Sequence, residues 1–151
     1  MKTGQLKMNN SLTSIDDVKI VNLREVLEEE GRLIPAELAQ VFPNFEVKRV
    51  FFVDNVRDRE VRGLHSHYET EQIIFCIKGK LKVICKDGKN TFETVLDRPN
   101  LCVYIPKMIW DEQIYLTKDT IMLSIANTSY DPKDYINCFE EFIEKKYATK
   151  D

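Results

Sequence analysis

Short runs of alternating or continuous apolar residues, bounded by turn residues, occupy most of this chain. Val18 to Leu23 is the first, and its spacing predicts a strand. Arg24 to Glu30 is charged and helix-permissive, with Gly31 placed to end a helix. Pro35 to Phe42 suits another short helical piece, and Pro43-Asn44 supplies turn chemistry. From Val47 to Val53 the texture changes to β-branched and aromatic residues, which suit a pleated surface. Gln72 to Ile77 and Lys80 to Cys85, separated by Lys78-Gly79, read as a hairpin. Asp87-Gly88 turns the chain toward Thr91–Leu96, and Leu101 to Ile105 and Thr120 to Ala126 read as further strands. After Tyr130-Asp131-Pro132 the period lengthens. Tyr135, Ile136, Phe139, Phe142 and Ile143 recur at helical spacing, which predicts a terminal helix with one apolar stripe against the strands. The whole pattern predicts an all-β fold, a sandwich or small jelly-roll barrel with a C-terminal helix.

Composition narrows the possibilities. The chain has 151 residues, enough for one domain with a proper core, and it shows no internal repeat. Residues 1–15 read as a flexible polar lead-in and 16–151 as a single domain. The 22 basic and 25 acidic residues leave a net charge of −3, so neither a nucleic-acid surface nor a polybasic membrane patch is expected. A local phosphate pocket is compatible with that balance. Cys76, Cys85, Cys102 and Cys138 form no CxxC pair, and the first three lie in apolar runs, as reduced core thiols do. With neither a signal-type N-terminus nor a spanning apolar run, the expected location is cytoplasmic.

Chemistry concentrates at one place. The only histidines, His65 and His67, occur in Arg62-Gly63-Leu64-His65-Ser66-His67. Alternate residues of a strand share a face, so both imidazoles should enter one site. Imidazole titrates near neutrality and is also the commonest metal ligand. A pair of core histidines is the bland alternative, weakened by polar neighbours Arg62, Ser66, Tyr68 and Glu69.

A small barrel carrying His-x-His resembles the cupin superfamily, whose metal-binding members add a Glu, a Gly beyond it and a later histidine. Counting back from Gly79 puts the acidic position on Gln72, a poor ligand, while Glu71 is one residue out of phase. No later histidine exists. Two imidazoles and at best one carboxylate fall short of a stable centre, so no metal is expected.

Further segments resemble one cupin subfamily, the nucleotide-sugar 3,4-ketoisomerases acting on dTDP-4-keto-6-deoxyglucose. They are Val47-Lys48-Arg49-Val50-Phe51-Phe52, the His65/His67 run with Gln72, Asp87-Gly88, and Arg98-Pro99 followed by Tyr104 through Trp110. Ala126 through Tyr130-Asp131, Asp134-Tyr135-Ile136 and Glu141-Phe142 continue it. Each motif is weak alone; the ordered set, from about Val18 onward, is specific. The resemblance implies moving a ketone from C4 to C3 through an enediol without cofactor, by a group whose pKa lies near neutrality. It makes His67 the acid/base and His65 the residue that orients the sugar or shuttles protons. Tyr104 and Gln72 would donate hydrogen bonds to the enediolate, and Arg49 and Arg62 would hold the diphosphate, each alternatively an exposed strand charge. Trp110 would either stack near the nucleotide or belong to the core.

The resemblance also implies a homodimer, formed by exchange of N-terminal strands, and a role in 3-aminosugar and surface polysaccharide synthesis. Three positions depart from the family pattern. Tyr68 stands where Lys or Arg is usual, Glu30 where Arg is common, and Asp111 where His or Arg follows the Trp. An acid at Asp111 would raise the pKa of a neighbouring imidazole, and the position is tied in the family to the face of C4 that is reprotonated. A related nucleotide-sugar epimerase and a non-catalytic sugar-nucleotide-binding cupin are the alternative functions.

Overall fold

The computed structural model describes residues 12–148. Among these residues twelve strands alternate with two short α-helices. They are β1 (Lys19–Asn22), β2 (Val26–Glu28), β3 (Gly31–Leu33), α1 (Leu38–Val41), β4 (Arg49–Val53), β5 (Val61–His67) and β6 (Gln72–Lys78). Then follow β7 (Leu81–Lys86), β8 (Thr91–Leu96), β9 (Leu101–Ile105), β10 (Trp110–Tyr115), β11 (Ile121–Ala126), β12 (Tyr135–Ile136) and α2 (Phe139–Tyr147). One antiparallel sheet has the order β1-β9-β6-β11-β4 and faces a second of order β12-β5-β10-β7-β8. This is the expected all-β architecture with a C-terminal helix.

Strand parity decides what each face receives. On β6, β7 and β9 the residues Ile74, Cys76, Leu81, Val83, Cys85, Val103 and Ile105 point between the sheets and form the main core. The opposite parity of the first sheet, Ile73, Phe75 and Cys102 with Ile125, is apolar too. Leu23, Ile34, Leu38, Phe42 and Phe45 cover it, so this sheet is buried on both faces over part of its width. Cys76, Cys85 and Cys102 are buried free thiols, as their apolar surroundings predict. Burial raises the pKa of each, which keeps it protonated and unreactive.

Four elements differ from the sequence expectation. Arg24–Glu30 contains no helix: Val26–Glu28 pairs with Gly31–Leu33 as a hairpin that joins neither sheet. Gly31, at φ +152°, serves its turn rather than a helix end. The second difference is at Gly79. β6 and β7 are no hairpin, because β6 pairs with β9 and β11 while β7 pairs with β8 and β10. Gly79, at φ +79°, sends the chain from one sheet to the other. Third, Trp110–Tyr115 is a central strand, concealed in the sequence by its polar residues Asp111, Glu112 and Gln113. Fourth, the terminal helix begins only at Phe139, since Tyr135 and Ile136 pair with His67 and Ser66.

The apolar stripe of α2 lies on the outside of the second sheet as expected. Phe142 is buried with Trp110 and Ile136, and Phe139 meets Trp110 edge-on at 5.3 Å. At the other end, the lead-in is tied down before residue 16. The Thr13 hydroxyl donates to the Lys107 carbonyl, Ser14 caps the turn Ile15–Asp17, and Ile15 packs on the core. Residues 1–11, the rest of the expected lead-in, lie outside the described residues.

Candidate active site

The histidine strand is bulged, and the bulge builds the site. β10 pairs with β5 through Asp111 opposite His65 and Glu112 opposite Gly63, so Leu64 is an extra residue without a partner. Gly63 and Leu64 both hold positive φ, +79° and +59°. Simple alternation would put Arg62 on the face opposite His65 and His67. The inserted residue shifts the phase, and Arg62, His65 and His67 all line one cavity between the sheets. Gly63 is required at close quarters, because a Cβ there would come within 3.0 Å of the Asp111 carbonyl oxygen.

That cavity, of about 420 Å³, holds both imidazoles, 4.8 Å apart between ring centroids. Tyr135 packs on both rings, 5.1 Å from His65 and 4.6 Å from His67. Its position depends on Asp134, whose carboxylate accepts from the Glu69 and Thr70 amides and the Thr70 hydroxyl. These bonds tie the C-terminal segment to the turn after β5. Phe51, Val53, Gln113, Met122, Tyr130, Pro132 and Asn137 complete the walls. Sequence reading assigned no site role to Tyr135 or Gln113. The Asp134-Tyr135-Ile136 match was the one available signal, since contacts across so long a separation are invisible in a linear pattern.

Gln72 shares parity with Ile74 and therefore enters the cavity, while Glu71 faces outward, as the count from Gly79 requires. Both polar atoms of Gln72 already have partners. Its Oε1 accepts from the Ser124 hydroxyl at 2.9 Å, which directs Nε2 to His67 Nδ1 at 3.3 Å. An amide donor at Nδ1 places the proton of neutral His67 on Nε2. Because a hydroxyl can donate or accept, the Ser124–Gln72 pair can reverse, with Oε1 accepting from Nδ1–H and the Nε2 lone pair exposed. Gln72 thus controls the tautomer that a base needs.

Burial and the neighbouring His65, with a smaller effect of Arg49, push the His67 pKa down to about 4; Asp134 partly opposes them. The sequence expectation of a group near neutrality is corrected accordingly. Burial thus favours the neutral imidazole, the form that can accept a proton.

Asp111 lies at the base of the site, fully buried. Its Oδ2 accepts from Gln113 Nε2 at 2.8 Å, and its Oδ1, 4.0 Å from His65 Nε2, has no hydrogen-bond partner. Burial holds its carboxyl pKa above the usual range, and His65 opposes that rise. His65, His67 and Asp111 each offer a ligand atom within 4.8 Å of the others, a convergence suited to a metal ion.

Two sequence candidates fall elsewhere. Tyr104 is on the outer face of β9, opposite in parity to Val103 and Ile105, where it donates to Glu71 and stacks on Phe42 at 5.3 Å. It lines a separate cavity outside the first sheet. Trp110, adjacent to Asp111 on the strand, points outward under α2 and donates to Glu112 Oε1 at 3.2 Å. Neither lines the histidine cavity, because neighbouring strand residues face opposite ways, and Trp110 takes the core position that its apolar run left open. Arg62 is exposed at the mouth of the cavity. Arg49 lies behind the wall, its guanidinium 5.3 Å from the Phe51 ring and 5.6 Å from that of Tyr130. Its Nε is buried without a partner.

A family model described as FdtA, WxcM-like, C-terminal, matches residues 16–147. The TDP-4-oxo-6-deoxy-alpha-D-glucose-3,4-oxoisomerase of Aneurinibacillus thermoaerophilus is 33% identical over 132 residues, covering 87% of this chain and 93% of that protein. The structure of WlaRB, a TDP-quinovose 3,4-ketoisomerase from Campylobacter jejuni, superposes with a TM-score of 0.80 at 34% identity, over 86% of this chain and 99% of that one. A histidine-to-asparagine mutant of the 3,4-ketoisomerase QdtA from Thermoanaerobacterium thermosaccharolyticum, in complex with TDP-4-keto-6-deoxyglucose, gives 0.80 at 27% identity, over 87% and 97%.

Proposed function

Because this chain belongs to the FdtA family (WxcM-like, C-terminal), we propose that it converts TDP-4-keto-6-deoxyglucose to the 3-keto isomer. The observation that carries the mechanism is a buried His67, held beside His65 in a cavity of sugar size. In this reading His67 removes the C3 proton, the electron pair passes through an enediolate to the C4 oxygen, and a proton returns to C4 as the C3 oxygen becomes the ketone. His65 carries the proton between the two oxygens. No electrons leave the sugar, so the step needs no redox cofactor. Gln72 and Ser124 hold the imidazole, and Tyr135 fixes the planes of both rings. Arg62 at the mouth, with Arg49 behind the wall, supplies positive charge for the diphosphate.

Incubation with TDP-4-keto-6-deoxyglucose in deuterated water tests the reading. Isomerisation places deuterium at C4 and yields a 3-ketone. Deuterium confined to C3 or C5 would mark an epimerase, and binding without exchange a non-catalytic module; either result overturns the proposal. A 3-ketone is the precursor that transamination to a 3-amino sugar requires. The proposed role is therefore supply of such a sugar to surface polysaccharide, lipopolysaccharide O-antigen included, from the cytoplasm. No helix among the described residues is long and apolar enough to cross a membrane.

A homodimer is part of the proposal. Phe52 and Val50 on the outward face of edge strand β4 are 70% and 57% exposed, and Leu27 and Leu33 of the unattached hairpin are 71% and 63% exposed. Such apolar exposure on an edge strand and a free hairpin suits a second copy of the chain. Light scattering should give twice the chain mass for the wild type and a monomer for Phe52→Asp. A monomeric wild type refutes the dimer, and an unaltered Phe52→Asp dimer removes this face from it.

A further inference from the structure

We infer that His65, His67 and Asp111 form a binding site for a divalent transition ion such as Zn²⁺, and that its occupation inhibits the isomerase. The expectation of no metal rested on the want of a third ligand. Asp111 supplies one, from the strand paired with β5, directly opposite His65. The three donor atoms already lie within 4.8 Å of one another. Bonds of about 2 Å to an ion are within reach of modest side-chain rotation.

The second observation is Asp111 Oδ1. A buried carboxylate oxygen without a hydrogen bond is costly and uncommon, and this one is aimed toward His65 while Gln113 holds its companion oxygen. A cation between the carboxylate and the imidazoles would satisfy it. Two nitrogens and one oxygen favour Zn²⁺, Co²⁺ or Ni²⁺ over Mg²⁺ or Ca²⁺, which prefer oxygen alone. Gln72 and Gln113 are placed to orient two of the ligands through hydrogen bonds, as outer partners of metal sites do. An ion would enter at the two imidazoles, which line the cavity, and meet Asp111 beside His65.

Inhibition follows from competition. An ion bound through His67 occupies the lone pair that would take the C3 proton. This half of the inference rests on the isomerase reading; the binding half stands on the residues alone.

The experiment titrates chelator-stripped wild-type protein with Co²⁺, reading visible d–d absorption and calorimetric stoichiometry, and then displaces Co²⁺ with Zn²⁺. One ion per chain is expected. Asp111→Asn and Asp111→Ala should each weaken binding by at least about tenfold. His65→Asn, a less buried position, provides the same loss should both Asp111 variants fail to fold. Turnover of stripped wild type should fall to background at saturating Zn²⁺, with half of the loss at the midpoint of the binding curve. Absence of a Co²⁺ band, a band unchanged in the folded variants, or thiolate charge-transfer bands placing the ion on Cys138 would overturn the site. Full turnover at saturating Zn²⁺ would overturn the inhibition. Stripped protein that binds Co²⁺ yet never turns over would leave the site standing and sink the isomerase reading.

Discussion

His67→Asn should lower turnover by about 10²–10⁴-fold while changing nucleotide-sugar affinity only a few fold. The imidazole is buried among the cavity-lining residues, and burial pushes its pKa down to about 4, which favours the proton-accepting form. Its ring is gripped by Gln72 and faced by Tyr135, so that with the Gln72 amide reversed the Nε2 lone pair is held in a fixed direction toward the cavity. Asparagine occupies similar space and can keep a hydrogen bond to Gln72, but cannot accept a proton from carbon. The loss therefore belongs in the chemical step rather than in binding. Single-turnover kinetics and calorimetry separate the two. A variant within tenfold of wild-type turnover would remove His67 from the acid/base role and move it to His65.

Gly79→Ala should destabilise the fold by about 3 kcal/mol or more. Gly79 has φ +79° where the chain leaves one sheet for the other. A Cβ there would lie 2.5 Å from Thr117 Oγ1, 2.6 Å from Thr120 Oγ1 and 2.7 Å from Thr120 Cα. Those hydroxyls are 2.8 Å apart, and the single proton of the Thr120 hydroxyl has the Lys80 and Thr117 carbonyls within reach at 3.1 and 2.8 Å, so both side chains are held and neither can easily give way. Gly31, at φ +152° with nothing within 4 Å of a built Cβ, is the control and should tolerate Ala better. Denaturant unfolding compares them, and a Gly79→Ala variant no weaker than Gly31→Ala would refute the crowding argument.

Much of this protein was legible in its sequence, because local chemistry acts over a few residues. Alternating Leu81, Val83 and Cys85, the Asp87-Gly88 turn and the helical spacing from Phe139 to Ile143 each carry their own conformation. The parity of Gln72 against Glu71 was readable from Gly79, and the structure keeps it. The same parity rule separates Trp110 from Asp111, and Tyr104 from Val103. At Tyr104 it is readable from β9 itself, but at Trp110 it is hidden, because β10, with three polar residues in succession, does not look like a buried strand. Its polarity is the site itself.

What the sequence determined alone was the kind of layer each segment could join and the presence of one histidine pair on one face. Tertiary structure decided the rest, through contacts between residues far apart in the chain. Pairing of β5 with β10 forces out Leu64 and rotates Arg62 onto the histidine face. It also sets Asp111 against His65, and the hold of Asp134 on the β5 turn brings Tyr135 over both rings. A bulge or an orphaned carboxylate exists only between two strands. Neither strand, read by itself, contains it.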